Sequence, residues 1–329
     1  MNTLRQILVC GGAGYIGSHM CKRLAKAGYQ PVAFDNLSTG HRSAVKWGPL
    51  IEGDLLEAST LEALFAGHKF DAVMHFAARS QVAESVLKPS MYYRNNVVGT
   101  LNLLDAMRNA GVRKLVFSST AAVYGNPQYT PIDEQHPCNP ITPYGQSKLM
   151  AERIISDACG AYQFSAVCLR YFNAAGADAE GEIGEAHDPE THLIPNIIEA
   201  ALHPDTDPVT IFGTDYPTAD GSCIRDYIHV EDICDAHLAA LDYLRQQSGC
   251  HSFNLGSAIG CSVHGIISAC EQLIGRKIEV REASRRTGDP AILIAKAEAA
   301  EKQMGFSPRR SITDILTSAL QWHATARME

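Results

Sequence analysis

The chain has no Cys-x-x-Cys pair: its ten cysteines, at 10, 21, 138, 159, 168, 223, 234, 250, 261 and 270, fall at no short metal-ligand spacing. A zinc-finger or disulfide framework is therefore excluded, no metal site is expected, and the thiols read as reduced groups of a cytoplasmic protein. Nowhere do eighteen apolar residues run together, and the stretch 7–10 that follows Arg5 is too short for a signal-peptide core. Membrane spanning and export are not expected. A dense basic cluster is also missing: 28 Lys+Arg stand against 36 Asp+Glu, a formal net charge of -8, so nucleic acid is not an expected partner. Repeats, low-complexity tracts and flexible linkers are absent too.

What remains is a globular composition, 46% hydrophobic and 19% charged over 329 residues, long enough for two lobes with substantial burial. Short β-branched runs at 7–10, 31–34, 50–53, 72–75, 114–117 and 164–169 alternate with helical periodicity around 15–28, 57–66, 90–110 and 143–159. This alternation predicts an α/β fold, a doubly wound parallel sheet of Rossmann type. After Arg170 the texture turns to Gly, Asp, Pro and Thr, with long irregular stretches at 173–191 and 213–222 that are expected to shape a binding site. Helical patterns return near 193–202, 231–247, 262–274 and 311–323. A second, smaller mixed α/β substrate lobe is expected over 173–329, with 1–172 as the dinucleotide-binding domain and 225–258 returning to it.

Gly11, Gly14 and Gly17 fall at a G-x-x-G-x-x-G spacing between the first strand and the first helix. Such glycines let the backbone turn and approach a pyrophosphate, while the helix N-terminus offers N–H groups and the positive end of its dipole. Asp35 ends the second strand, where a carboxylate accepts hydrogen bonds from both ribose hydroxyls and repels a 2′-phosphate, favouring NAD over NADP. The bland alternative is a packing turn and a capping aspartate. Asp54 and Leu55, and Phe76, Ala77 and Ala78, also lie at strand C-termini and are secondary cofactor contacts.

Thr142 and Pro143 mark a helix start that puts Tyr144 and Lys148 on one face. A free phenol titrates near 10, and bringing it near 7 takes about 4 kcal/mol of preferential phenolate stabilisation. A lysine ammonium one turn away and an oxidised nicotinamide ring together provide such a field. Ser118, Ser119 and Thr120 place hydroxyls at the end of the fifth strand, and Thr120 is the expected partner of the reacting oxygen. An exposed helix pair and a polar strand end are the competing readings.

Together, GGAGYIGSH at 11–19, Asp35-Asn36-Leu37, Gly53-Asp54-Leu55, HFAA at 75–78, YYRNNVVGT at 92–100, FSSTAAVYG at 117–125, PYGQSK at 143–148, LRYFNAAGA at 169–177, Ile224-Arg-Asp-Tyr-Ile-His-Val and Arg285-Arg-Thr-Gly-Asp289 resemble the extended short-chain dehydrogenase/reductase family. The likeness is closest to its UDP-sugar 4-epimerase branch and spans essentially the whole chain. The resemblance implies that Tyr144 is the acid/base, that Lys148 tunes it and binds the nicotinamide ribose, and that Thr120 bonds the 4-hydroxyl. It implies cofactor contacts from Tyr15, Ile16, Asn36, Asn95, Ser118 and Tyr171 beside those above; for Asn95, helix capping competes. It further implies that Asn173, His192, Leu193, Phe212, Arg225, Arg286 and Asp289 hold the UDP of a UDP-sugar, the arginines on the diphosphate. For Arg225, pairing with Asp226 or Glu231 competes; for Phe212, a place in the core; for Arg286, a solvated edge. The resemblance also implies that hydride leaves and returns to sugar C4 with no net redox change, and that the chain forms a homodimer.

This sequence departs from the pattern at Cys10, at Ser80 where relatives carry a lysine, at Thr120 where serine is commoner, and at His192-Leu193 in place of asparagine-leucine. Leu293 stands where a tyrosine excludes 2-acetamido sugars, so UDP-N-acetylhexosamines are expected as additional substrates. A 4,6-dehydratase needs Asp-Glu after the threonine, and Ala121-Ala122 stand there instead. Epimerases or decarboxylases acting on UDP-arabinose or UDP-glucuronate are the nearest alternatives.

Overall fold

The computed structural model describes residues 5–203, 205–286 and 289–325. Thr287 and Gly288 of the Arg-Arg-Thr-Gly-Asp stretch lie outside the described residues, as do the outer ends of the two expected lobes, 1–4 and 326–329. In chain order the strands are β1 (Gln6–Cys10), β2 (Gln30–Asp35), β3 (Leu50–Glu52), β4 (Phe70–His75), β5 (Lys114–Thr120), β6 (Ser165–Tyr171), β7 (Asn173–Ala175), β8 (Val209–Phe212), β9 (Ile224–His229), β10 (Gly249–Leu255), β11 (Gly260–Ser262), β12 (Val280–Ala283) and β13 (Ile292–Leu293). The helices are α1 (Tyr15–Lys26), α2 (Ala58–Gly67), α3 (Val82–Leu87), α4 (Pro89–Tyr92), α5 (Gly99–Ala110), α6 (Pro143–Tyr162), α7 (Leu193–Leu202), α8 (Val230–Tyr243), α9 (Val263–Ile274), α10 (Glu298–Met304) and α11 (Ile312–Thr325).

Seven parallel strands form the main sheet in the order β10-β6-β5-β4-β1-β2-β3. In β1, Leu8 and Cys10 enter a core with Phe34, Leu103 and Phe117, while Ile7 and Val9 enter a second core with Met20, Ile233 and Leu241. Both faces are therefore buried, which is why the strands read as continuous apolar runs rather than alternating ones. The chain winds outward to β3 on one side of β1 and outward from β4 on the other. This reversal makes the crevice beyond the C-terminal ends of β1 and β4 the natural ligand site of the fold.

A smaller sheet, with β9 at its centre beside β7, β11 and β13, and the β8–β12 pair form the second body of structure. Its core gathers Ile194, Ile197, Ile211, Tyr227, Ile266 and Leu316 from α7, α9, α11 and these strands. Asn173, expected in an irregular stretch, opens β7 and pairs with Tyr227, so the chain leaves the main sheet and enters the small one within two residues of Tyr171. The segment expected as one helix over 90–110 is α4 and α5 joined by a π-helical turn, Tyr93–Val98. α6 begins as expected, with Pro143 in its first turn and Thr142 Oγ1 accepting from Gly145 N at 3.2 Å.

Candidate active site

The β1–α1 turn is held by main chain against main chain. Gly11 has a φ of +80°, and a Cβ there would lie 2.6 Å from Ala77 N; a Cβ on Gly17 would lie 2.0 Å from Gly11 O. Phe76 N and Ala77 N both donate to Cys10 O, at 2.8 and 3.0 Å, which ties this turn to the exit of β4. Above Gly14 the space is open: a Cβ would meet nothing closer than Gly11 O at 3.4 Å, and no side chain caps α1. An uncapped helix start behind a glycine turn is a cradle for a diphosphate, so the residues present fit NAD. Tyr15 closes one rim, its hydroxyl donating to Gly176 O at 2.5 Å, while Ile16 packs into the core under the helix.

Asp35 is buried at the end of β2, its oxygens accepting from Ala13 N at 2.9 Å and Leu37 N at 2.8 Å. Each oxygen keeps a further lone pair for a ribose hydroxyl. Asn36 donates to Asp54 Oδ2 at 2.9 Å, joining the ends of β2 and β3, and Leu55 is buried behind them. Phe76, Ala77 and Ala78 follow β4, with the Phe76 ring 4.6 Å from that of His237. Asn95 is not a helix cap: it lies inside the π turn and donates to Asn96 Oδ1 at 3.0 Å. Asn96, unmarked in the sequence reading, is the anchor. It accepts from Arg79 N at 2.8 Å and donates to Arg79 O and to Ser147 Oγ, so it stitches the β4 exit to α6.

Tyr144, Lys148, Thr120, Ser118 and Tyr171 converge where β5 and β6 end beside α6. Lys148 is buried and donates to Ser118 O at 2.8 Å; loss of water lowers its ammonium to about 7, with the Glu152 carboxylate one turn on pulling the other way. The Ser118 hydroxyl makes a short contact with the Tyr171 hydroxyl. Burial pushes the Tyr144 phenol above its usual value, and a hydrogen bond with the Thr120 hydroxyl pulls it part of the way back. Without the charge of a bound cofactor, burial thus favours the neutral phenol.

On the facing side, Arg225 donates to Ile224 O and Pro290 O, both at 2.9 Å, and lies 3.3 Å from Asp289 Oδ1. Its competing partners are occupied elsewhere: Asp226 accepts from Ser257 and Ala295, and Glu231 pairs with Arg310. The Arg286 guanidinium stacks on Phe212, 3.9 Å from the ring centroid, so Phe212 is not simply core. Leu293 pairs with Arg225 across β13 and β9 and packs on the cluster of Ala121, Val123 and Leu149 that follows Thr120 in the chain. Asn173 stands at the junction of the two sheets. His192 caps α7, but its imidazole is committed to Glu190 and Glu185, at 3.0 and 2.9 Å, while Leu193 packs into the small core. Burial would keep such imidazoles neutral, yet the carboxylates override it and lift His187 to about 9 and His192 to about 10.

The model of the NAD-dependent epimerase/dehydratase family matches residues 7–256. The chain belongs to that family. It is 48% identical to a UDP-glucose 4-epimerase of Rhizobium leguminosarum bv. trifolii over 318 residues, 97% of each chain. Among solved structures, the UDP-glucose 4-epimerase of Brucella ovis in complex with NAD superposes with a TM-score of 0.93 at 47% identity, covering 96% of this chain and 97% of that one. The Bifidobacterium longum enzyme in complex with NAD+ and UDP gives 0.93 at 36% identity, covering 98% and 99%.

Within this epimerase/dehydratase framework, Ala121 and Ala122 form a short turn straight after Thr120, and neither offers a proton donor or acceptor for eliminating water. Two features escaped sequence reasoning. Tyr216 is buried with its hydroxyl unpartnered among the described residues, close enough to Asp289 and Arg225 to feel their charge; its place in the Phe-Gly-Thr-Asp-Tyr stretch was the available signal. Glu152 and Arg170 form a buried pair at 2.6 Å, and Glu152 also accepts from Ser119. Arg170 continues to Tyr124, and Tyr124 to Asn254. This network braces β5, β6, β10 and α6 beneath the reacting hydroxyls.

Proposed function

We propose that this chain interconverts UDP-glucose and UDP-galactose at sugar C4, with NAD as a retained cofactor. The observation that carries the reading is the convergence of Tyr144, Thr120 and Lys148 at the strand ends that also carry the glycine cradle, with Leu293 joining Arg225 to the residues that follow Thr120. In this reading Gly11, Gly14, Tyr15, Ile16 and Gly17 hold the diphosphate of NAD. Asp35 and Asn36 hold a ribose, and Asp54, Leu55, Phe76, Ala77, Ala78, Asn95, Ser118 and Tyr171 line the remainder. When bound, NAD supplies a hydride acceptor and then a hydride donor, so the reaction needs no outside electrons.

Tyr144 removes the proton from the 4-hydroxyl, and Thr120 holds the same oxygen by a hydrogen bond. Lys148, anchored on Ser118 O, orients the ribose next to the phenol and supports the phenolate by its charge. Arg225, Arg286 and Asp289 retain the UDP by charge-assisted bonds while the 4-keto sugar turns and presents its other face, and Tyr144 returns the proton. Phe212 packs by the base, and Asn173 completes that wall. Full-length relatives at this identity favour the hexose over the arabinose or glucuronate alternatives. Leucine at 293 is smaller than the tyrosine that excludes 2-acetamido sugars in relatives, and in this reading UDP-N-acetylhexosamines are accepted as well. Incubating the purified protein with separate UDP-sugars and resolving the epimers tests both statements: turnover of UDP-arabinose or UDP-glucuronate without UDP-galactose refutes the first, and turnover of UDP-galactose without UDP-N-acetylgalactosamine refutes the second.

Apolar side chains on α3, the π turn, α5 and α6, namely Val82, Val86, Leu87, Val98, Leu101 and Met150, are exposed and form the face on which a homodimer closes in our reading. All ten cysteines are unpaired, which suits a cytoplasmic location. Among the described residues no helix is long and apolar enough to cross a membrane.

A further inference from the structure

The loop between β7 and α7 folds four side chains onto one point. Glu185, His187, Glu190 and His192 each direct one ligand atom there, and the four atoms all lie within 4.8 Å of one another. His187 Nδ1 is 3.1 Å from Glu185 Oε1 and 3.7 Å from Glu190 Oε2; His192 Nδ1 is 2.9 Å from Glu185 Oε1 and 3.0 Å from Glu190 Oε1. We propose that these four residues bind one divalent transition-metal ion of the zinc class through two imidazole nitrogens and two carboxylate oxygens.

The spacing carries the proposal. Zinc bonds of about 2.0–2.1 Å at tetrahedral angles put neighbouring ligand atoms about 3.3 Å apart, in the middle of the separations seen here. Both imidazoles turn the same nitrogen, Nδ1, toward a single buried oxygen, Glu185 Oε1. One of them, His187 Nδ1, is buried yet makes no hydrogen bond despite its distance to that oxygen. Two nitrogens crowding one oxygen, one of them unserved, is poor hydrogen bonding and good coordination: a central ion replaces the mutual contacts by four separate bonds. The donor set also selects the ion. Imidazole nitrogen is foreign to the all-oxygen sites of magnesium and calcium, and the absence of thiolate disfavours the softest ions.

Main-chain contacts hold the loop from outside. Trp322 Nε1 donates to Glu185 O at 3.1 Å, and His41 Nε2 lies 2.7 Å from Ala186 O. The His187 ring meets Tyr15 edge-on at 6.3 Å. Because all four ligands fall within eight consecutive residues, 185–192, one ion closes the loop on itself and fastens it against Tyr15, at the rim of the dinucleotide cradle. Its role is structural, since no ligand belongs to the catalytic trio.

The full-length protein, stripped with a chelator, is titrated with zinc chloride against a competing dye, and separately with cobalt(II). The expected result is one saturable equivalent per chain with a Kd of about 1 µM or tighter. Cobalt then shows visible d–d bands and no near-ultraviolet thiolate band, and zinc raises the melting temperature. The His187→Gln, Glu190→Gln double variant is expected to bind zinc about 100-fold more weakly and to lose the thermal response. Absence of stoichiometric binding by the unsubstituted chain overturns the proposal. A thiolate band, which would place the ion on the cysteines, also overturns it, as does a folded double variant with unchanged affinity. The first result would leave a pair of charged imidazoles sharing two carboxylates.

Discussion

The two walls of the cleft are built by different means. The wall we assign to the cofactor is main chain on main chain: the glycine turn rests on the β4 exit through Cys10 O, with no room for a Cβ at Gly11 or Gly17. The facing wall is side chain on side chain: Arg225 on two carbonyls and Asp289, Arg286 flat on Phe212, Leu293 against Ala121 and Leu149. A wall of the first kind has no intermediate settings, whereas one of the second kind can be changed a residue at a time. Retention of one cofactor and adjustment of the bound sugar are the functions each construction suits.

That contrast is broken most severely at the junction itself. Gly17→Val would force a carbon to within 2.0 Å of Gly11 O, and the expected outcome is a protein that releases no NAD on denaturation and has no measurable epimerase activity. Tyr144→Phe is expected to keep the cofactor wall intact. NAD content stays at the unsubstituted level while kcat falls by about 10²–10⁴-fold, the range for a positioned acid/base. Equal loss of both quantities would show that the tyrosine is structural.

Beneath the cleft, Glu152→Gln removes one half of a buried pair and leaves Arg170 uncompensated, a change that costs about 3–5 kcal/mol in comparable cases. Chemical denaturation should show that loss, with kcat falling only as far as β5 loses its brace. Acid probes the same buried framework. Burial holds His75 and His229 near 3 and His19 and His237 near 4, against about 6.5 when unfolded. With folded values below the unfolded one, the unfolded chain binds more protons between about pH 6.5 and 4. Stability contributed by these residues is therefore complete above 6.5 and declines as pH falls, by up to about 1.4 kcal/mol per unit for each. His187 and His192, lifted above 6.5 when folded, act oppositely only above that pH, so denaturation midpoints measured from pH 6.5 to 5 should fall, and a flat profile there would contradict buried neutral rings.

The smallest effect belongs to the facing wall. Arg225→Met removes charge-assisted bonds worth about 1.5–3 kcal/mol, so KM for UDP-galactose is expected to rise roughly 10- to 100-fold with kcat within a few-fold. A collapse of kcat instead would mean that this wall, like the other, acts as one piece.

The same division explains what the sequence disclosed. A main-chain wall leaves local marks: glycines at fixed spacing, an acid at a strand end, Thr142-Pro143 opening α6 above Tyr144 and Lys148. The alternation of strands and helices in the first 170 residues is equally local, and the main sheet follows it. Side-chain walls are assembled from segments far apart in the chain, so Phe212, Arg225 and Arg286 were reachable only through resemblance. Asn95 and Asn96 are neighbours of one type, and only the π turn decides that Asn96 faces the Arg79 backbone. Glu152 and Arg170 are 18 residues apart and meet because α6 packs beside β6. The cluster at 185–192 was invisible to a metal search confined to cysteine spacing.

One isotope experiment addresses the chemistry most directly. UDP-galactose carrying deuterium at C4 is converted by the purified protein in ordinary water with no added coenzyme, and the UDP-glucose formed is weighed by mass spectrometry. Reversible oxidation at a cofactor that never leaves gives product with its deuterium fully retained and sustained turnover. Loss of the label to solvent, or a reaction that halts until free coenzyme is supplied, would contradict it.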